Sequence, residues 1–423
     1  MLENRLDSGS ARVMDCIIRH AAIATKDGLL QVDIGIVDGC IAAIEPALAA
    51  TAPAFDAQSR LLVPGLIETH IHLDKTCIVD RCRCEEGTVA EAVRETAAAK
   101  RSFTPEDVYQ RGRRTLERCI SHGTMQMRTH VEVDPGIGMI GFEGVAQLRR
   151  DYAWALDLEL CVFPQEGLLN NPGTEALLIE GLRRGARVIG AVPYIDTDPR
   201  GQIDRIFELA RDFDVDIDMH LDLAETIEGM QVEYVCRQTE AFGWGGRVTV
   251  GHVTQLSLLP PARFAAIAQR LANAGVSVTV LPATDLYLMG RTHDHAVPRG
   301  VVAVERLREA GVTCSISTNN VLNPFTPYGD GSLIRMANLY ANVCHVAQPA
   351  ALTACLDMVT YDAAKLLRLS SYGIHVGAPA DLVLLDANSP AEAIATLASP
   401  LWGLKRGRQT FCRPRPTLHY PEI

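Results

Sequence analysis

The chain has 423 residues, 48% of them hydrophobic and 22% charged, with a formal net charge of −11. That length exceeds what one compact core usually holds, so a large domain with a smaller appendage is expected. The acidic balance offers no basic footprint for nucleic acid, and no run approaches the roughly 20 apolar residues of a bilayer span; the expected partner is a small molecule, not nucleic acid or membrane.

The opening segment MLENRLDSGSARVMD carries mixed charge and no apolar stretch. It does not read as a secretory leader and predicts a soluble, cytoplasmic protein. Twelve cysteines are scattered without a CxxC pair, which predicts reduced thiols held mostly in the core.

From Val13 to Val63 the chain reads as short strands, CIIRHAAIAT, KDGLLQVDIGIVDG and CIAAIE, with Asp38-Gly39 as a hairpin signal. Strand-like text returns in ADLVLLDA, Ala380 to Ala387, and from Trp402 to Phe411. The two ends are expected to pair as one small β-sandwich domain, residues 1–63 with 372–423. Residues 64–371 hold eight apolar runs: LLVPGLIETH, MQMRTHVEV, LELCVFPQE, RVIGAVPYID, VDIDMHLDL, GRVTVGHVTQ, VSVTVLPATD and VTCSISTNN. Helical stretches such as Pro105–His122 and Pro261–Ala274 separate them. This alternation predicts an α/β fold, a TIM-like (β/α)8 barrel.

Several runs end in ligand-type residues: His70, His72, His130, Gln165, Asp196, His220, His252 and Asn319. In a barrel those positions gather at the C-terminal rim, where active sites form. His70-Ile71-His72 is the most specific signal, because alternate strand residues face one side and two imidazoles can share one metal. Standing alone, an HxH reads more simply as core or surface histidines; His220 and His252, each closing a later apolar run, favour the metal reading.

The segments VPGLIETHIHLDKT, RTHVEV, FPQEG, GRVTVGH, and LMGR followed by PRG resemble the bacterial cytosine deaminase and N-isopropylammelide amidohydrolase branch of the amidohydrolase superfamily. NPFTPYGDGSL and IHVGAPADLVLL are similar too, so the resemblance spans nearly the whole chain. It implies hydrolysis of a carbon–nitrogen bond in a nitrogen heterocycle or related amide, with one divalent metal ion, zinc or iron. It further implies that His70, His72 and His220 bind the metal, that His252 contacts the attacking water or the substrate oxygen, and that Gln165 bonds the amide edge of the ring. Arg128 and His130 match a family motif, with buried strand-tying residues as the equal alternative. Relatives of this branch commonly assemble, so a homo-oligomer is a further expectation.

Four positions depart from the family pattern. Asn319, Asn320 and Asn323 stand where the family has acids, and Leu223 where it has a proton-shuttling glutamate. An amide cannot take a proton from water, so Asn319 is carried as a catalytic-site position and Asn320 as a substrate contact. Asp222 and Glu225 flank the gap, and Glu225 or Glu228 is a candidate to swing in from the loop as a base, a solvated loop acid being the alternative. Lys75 is read either as a positive charge for a substrate oxyanion or as a structural ion pair, and Arg291 either as a partner for an anionic substrate or as a surface residue. Phe163, Tyr194, Tyr287, Phe325 and Tyr328 are candidates to sandwich a planar ring, core packing being the alternative. The missing acids keep two other readings open: a ligand-binding relative without turnover, and lyase or isomerase chemistry on the same scaffold.

Overall fold

A computed structural model describes residues 13–419. The leader reading rests mainly on residues 1–12 and lies outside the described residues.

The N-terminal strands β1 (Cys16–Thr25), β2 (Gly28–Val37), β3 (Cys40–Glu45) and β4 (Ala54–Asp56) form one sheet in the order β3-β2-β1-β4. Asp38 and Gly39 link β2 to β3 with φ of 50° and 75°. Two positive φ values in a two-residue loop are what a type I′ hairpin needs, and the Asp-Gly pair supplies them cheaply.

β5 (Leu62–Pro64) leads into eight further strands, β6 (Leu66–Ile71), β7 (Thr124–Glu132), β8 (Asp157–Phe163), β9 (Val188–Ala191), β10 (Asp216–Leu221), β11 (Val248–His252), β12 (Val276–Val280) and β13 (Cys314–Ile316). They pair in parallel and in sequential order. A parallel bridge between Ile71 and Asn319 joins the first strand to the end of the last, with His72 N donating to Asn319 O and Asn319 N to His70 O, each at 2.9 Å. The sheet therefore closes into the expected barrel.

Helices cover its outside. Pro105–Ser121 begins on Thr104, whose side chain accepts from Asp107 N, with proline in the first turn where its missing N–H costs nothing. It buries Val108, Leu116, Cys119 and Ile120 toward the barrel. Pro261–Ala274 has the bounds read from the sequence and stops at Gly275, φ 69°, a left-handed cap that glycine adopts without penalty.

β14 (Leu382–Leu385), β15 (Pro400–Lys405) and β16 (Arg408–Cys412) form a second antiparallel sheet with β5, in the order β16-β15-β14-β5. Ile18, Ile34 and Ile36 of the first sheet share one apolar core with Leu62, Leu382, Leu384 and Leu404 of the second. The chain ends thus build a β-sandwich beside the barrel. All twelve cysteines are free thiols, seven of them buried. Among the described residues no helix is long and apolar enough to cross a membrane.

Candidate metal centre

Alternation along three strands builds the polar interior of the barrel. Residues i and i+2 share a face, so Glu68 and His70 line up on β6 with His72 just past its end, Arg128, His130 and Glu132 on β7, and Asp218 and His220 on β10. All eight are buried. Buried charges require partners, and they have them. Arg128 donates to Asp218 Oδ2 at 3.0 Å and to Glu159 Oε2 at 2.7 Å, and Asp218 Oδ1 lies 3.3 Å from His70 Nδ1. Burial alone would raise the Asp218 carboxyl; His130, His70 and their hydrogen bonds outweigh it and hold the group far below its usual range.

Above this layer the three Nε2 atoms of His70, His72 and His220 converge. His220 Nε2 lies 3.1 Å from His70 Nε2 and 3.0 Å from His72 Nε2. Burial, reinforced by His130, pushes the His70 imidazole down to about 3. Burial together with the Lys75 charge lowers His72 well below its ordinary value, and burial with the His70 neighbour does the same for His220. All three rings are neutral at physiological pH, with lone pairs to offer. Three neutral imidazoles are a recognised zinc set and also suit iron. Asn319 Oδ1 is buried without a hydrogen-bond partner beside them, so the donor set fits a divalent ion.

His252 closes β11 with φ 70°, followed by Val253 at 43°. Left-handed backbone is rare for non-glycine residues and a strong outlier for a β-branched one, and such strain collects at functional sites. Here it brings the ring to the rim with Nδ1 2.5 Å from Asp285 Oδ1. Asp285 is fully buried, and its second oxygen accepts from Leu281 N at 3.1 Å. His252 Nε2 then faces Asn319 Nδ2 at 3.5 Å. Asn319 is itself left-handed, φ 62°.

On the opposite wall, Lys75 Nζ donates to Glu132 Oε1 at 2.6 Å and to Gln165 Oε1 at 2.7 Å, below the Phe325 ring. Lys75 is ion-paired, as the structural alternative expected, and it also lines the cavity. Lys75, Gln165, Asn320, Tyr194, Leu223 and Phe325 complete the cavity whose other side is His72, His220, His252 and Asn319.

Other candidates lie elsewhere. Arg291 is exposed, stacks on Tyr287 and donates to the Tyr287 carbonyl oxygen, so its guanidinium does not line the cavity. Glu225 accepts from Arg291 N at 2.7 Å and from Thr292, and Glu228 is exposed; neither lines the cavity as a base. Asp222 caps a helix by accepting from Gln231 N and Val232 N, and Asp196 ties the loop at Leu168 to Asn170. Of the aromatic residues, Tyr194 and Phe325 line the cavity, Phe163 stacks on His220, and Tyr287 meets Tyr328 edge-on outside it.

Residues 149–409 match the model of the amidohydrolase family. The chain belongs to this family. Over 395 residues it is 29% identical to pterin deaminase of Rhizobium rhizogenes, covering 91% of this chain and 89% of that protein. It is 27% identical over 404 residues to N-isopropylammelide isopropyl amidohydrolase of Pseudomonas sp. (strain ADP), covering 93% and 96%. A crystal structure of 5-methylcytosine deaminase from Klebsiella pneumoniae liganded with 5-fluorocytosine superposes with a TM-score of 0.91 at 28% identity, covering 96% and 99%.

Three site residues of this amidohydrolase escaped the sequence reading. Asp218 precedes His220 by two and Glu132 follows His130 by two, so the same-face rule that found the HxH pair was available for both. Asp285 ends the run VSVTVLPATD, but nothing in the sequence ties it to His252; only the adjacency of β11 and β12 does.

Proposed function

We propose that this amidohydrolase uses one divalent metal ion, zinc or iron, to hydrolyse a carbon–nitrogen bond of a nitrogen heterocycle or cyclic amide. The observation that carries the reading is the convergence of the His70, His72 and His220 Nε2 atoms beneath a strained His252 with a buried carboxylate behind it. The relatives named for pterin, N-isopropylammelide and 5-methylcytosine support a substrate of that class.

His70, His72 and His220 would hold the divalent ion, which would supply Lewis-acid activation of the attacking water at neutral pH. The protein's own groups do the rest. Asp285 accepts from His252 Nδ1–H, which leaves the Nε2 lone pair free to take the water's proton and return it to the departing nitrogen. Gln165, Asn320 and Lys75 orient the ring, while Leu223, Phe325 and Tyr194 keep bulk water out. With Leu223 in place of an acid, only the histidine serves the leaving group, which favours substrates whose departing nitrogen needs little protonation.

The test is elemental analysis of freshly purified protein followed by turnover assays on pterin, an N-alkyl ammelide and 5-methylcytosine, before and after chelation and after zinc or iron is restored. About one equivalent of metal per chain, with amine or ammonia released only by the loaded protein, is the expected result. A second reading, ligand binding without turnover, is favoured by the acid-free cavity wall. Thermal stabilisation by these compounds with no product from the loaded protein would establish it instead.

A further inference from the structure

The amides on the cavity wall are locked in one sense. Asn323 Oδ1 accepts from Phe325 N at 3.0 Å and Thr326 N at 3.2 Å. Backbone N–H groups only donate, so the other corner of that side chain is its NH2, whatever ambiguity an isolated amide carries. That NH2 reaches Lys75 O at 3.3 Å and Asn320 at 2.7 Å, so the Asn320 atom it meets is the carbonyl oxygen. The remaining end of Asn320 is therefore its own NH2. Asn320 lines the cavity, and its Nδ2 has no partner among the described residues.

Lys75 imposes the same sense on Gln165. An ammonium group donates and never accepts, so the Gln165 atom 2.7 Å from Lys75 Nζ is Oε1. Gln165 lines the cavity, and its Nε2 has no partner among the described residues. Lys75 spends two hydrogens on Glu132 and Gln165 and keeps a third. Among the described residues no carboxylate lines the cavity. Besides the histidines, the polar residues lining the cavity are Lys75, Gln165, Asn319, Asn320 and Tyr194, and the uncommitted groups of Lys75, Gln165 and Asn320 can only donate.

We infer that the ligand meets Gln165 and Asn320 with hydrogen-bond acceptors: it is an oxo-substituted nitrogen ring of the cyclic imide or oxo-triazine kind, not a ring that offers amino hydrogens along that edge. The inference rests on the proposed function only in taking this cavity as the binding site. It narrows the substrate class, because an amino group turned toward these donors leaves both sides unpaired in a buried site, a mismatch worth roughly tenfold or more in affinity per pair.

Calorimetric titration of the metal-loaded protein with two non-substrate probes tests it: barbiturate, which presents oxygens along the ring edge, and 2,4-diaminopyrimidine, which presents amino groups. Barbiturate is expected to bind at least tenfold more tightly. Asn320→Asp keeps an oxygen for Asn323 Nδ2 and turns another oxygen to the cavity, so the ratio is expected to shrink tenfold or reverse. Should that variant fail to fold, Gln165→Glu makes the equivalent exchange beside Lys75. Equal or tighter binding of the diamine, binding of neither probe at millimolar concentration, or an unchanged ratio in a folded variant overturns the inference. Binding preference is read without turnover, so a protein that prefers barbiturate but hydrolyses nothing sinks the proposed function and leaves this inference standing.

Discussion

Asp285 Oδ1 lies 2.5 Å from His252 Nδ1, and both groups are buried. Because an ionised carboxylate only accepts, the imidazole proton resides on Nδ1 and the lone pair on Nε2. In Asp285→Asn the amide oxygen is expected to stay with Leu281 N, turning NH2 toward His252 and forcing the opposite tautomer. Turnover is expected to fall roughly 10²- to 10⁴-fold with metal content unchanged. Elemental analysis beside the pH profile of kcat separates this from structural damage, which would lower both together.

Asn319→Asp puts an anion where the neutral amide now lies with its oxygen unpartnered. Metal is expected to resist chelators better and any deaminase activity to rise. Chelator titration followed by ammonia release measures both. If neither changes, Asn319 does not stand at the metal.

Lys75 and Lys100 both lean on Glu132, at 2.6 and 3.4 Å, and all three are buried. Burial pushes the Glu132 carboxyl up, but Lys75 and then Lys100 outweigh it and hold the group below its usual range. Its contribution to stability is present above the unfolded carboxylate pKa and lost as pH falls through the lower folded value. Glu132→Gln removes Lys75's carboxylate partner and is expected to cost about 3–5 kcal/mol at neutral pH. Denaturant unfolding measures this, and a cost under about 1 kcal/mol contradicts it.

Glu68 carries the opposite sign. It lies beneath the histidines, accepting from Thr318 N at 3.1 Å and His70 N at 3.3 Å, and burial raises its carboxyl to about 7. With an unfolded value near 4.3, its contribution is fully present below about pH 4 and is lost as pH rises through about 7. Glu68→Gln cannot titrate. Between pH 5 and 8 its thermal midpoint is expected to fall less than that of the unaltered protein; parallel curves would contradict this.

The barrel was legible because parallel strands buried on both faces read as unbroken apolar runs, and β6 to β13 each overlap one of the eight runs read as strands, to within one residue at an end. The histidine cluster was legible because His70, His72 and His220 each lie at or near the end of such a run. Arg291 and Glu225 were not, because their side chains project from loops after strands, where spacing fixes no direction; the two segments hold each other instead, through Glu225 and Arg291 N. Asp285 was hidden for a different reason. Its partner His252 is 33 positions away and meets it only once neighbouring strands align.

The bridge between Ile71 and Asn319 has a consequence for assembly. Thr69 N donates to Ser317 Oγ across 248 positions of chain, and the same seam holds His70, His72 and Asn319 in register. Zipping the first strand to the last is therefore what completes the histidine cluster, so a half-wound barrel has no place for the ion. Metal should bind late in folding and act as a rivet on that seam, favouring the closed ring over every open intermediate by mass action.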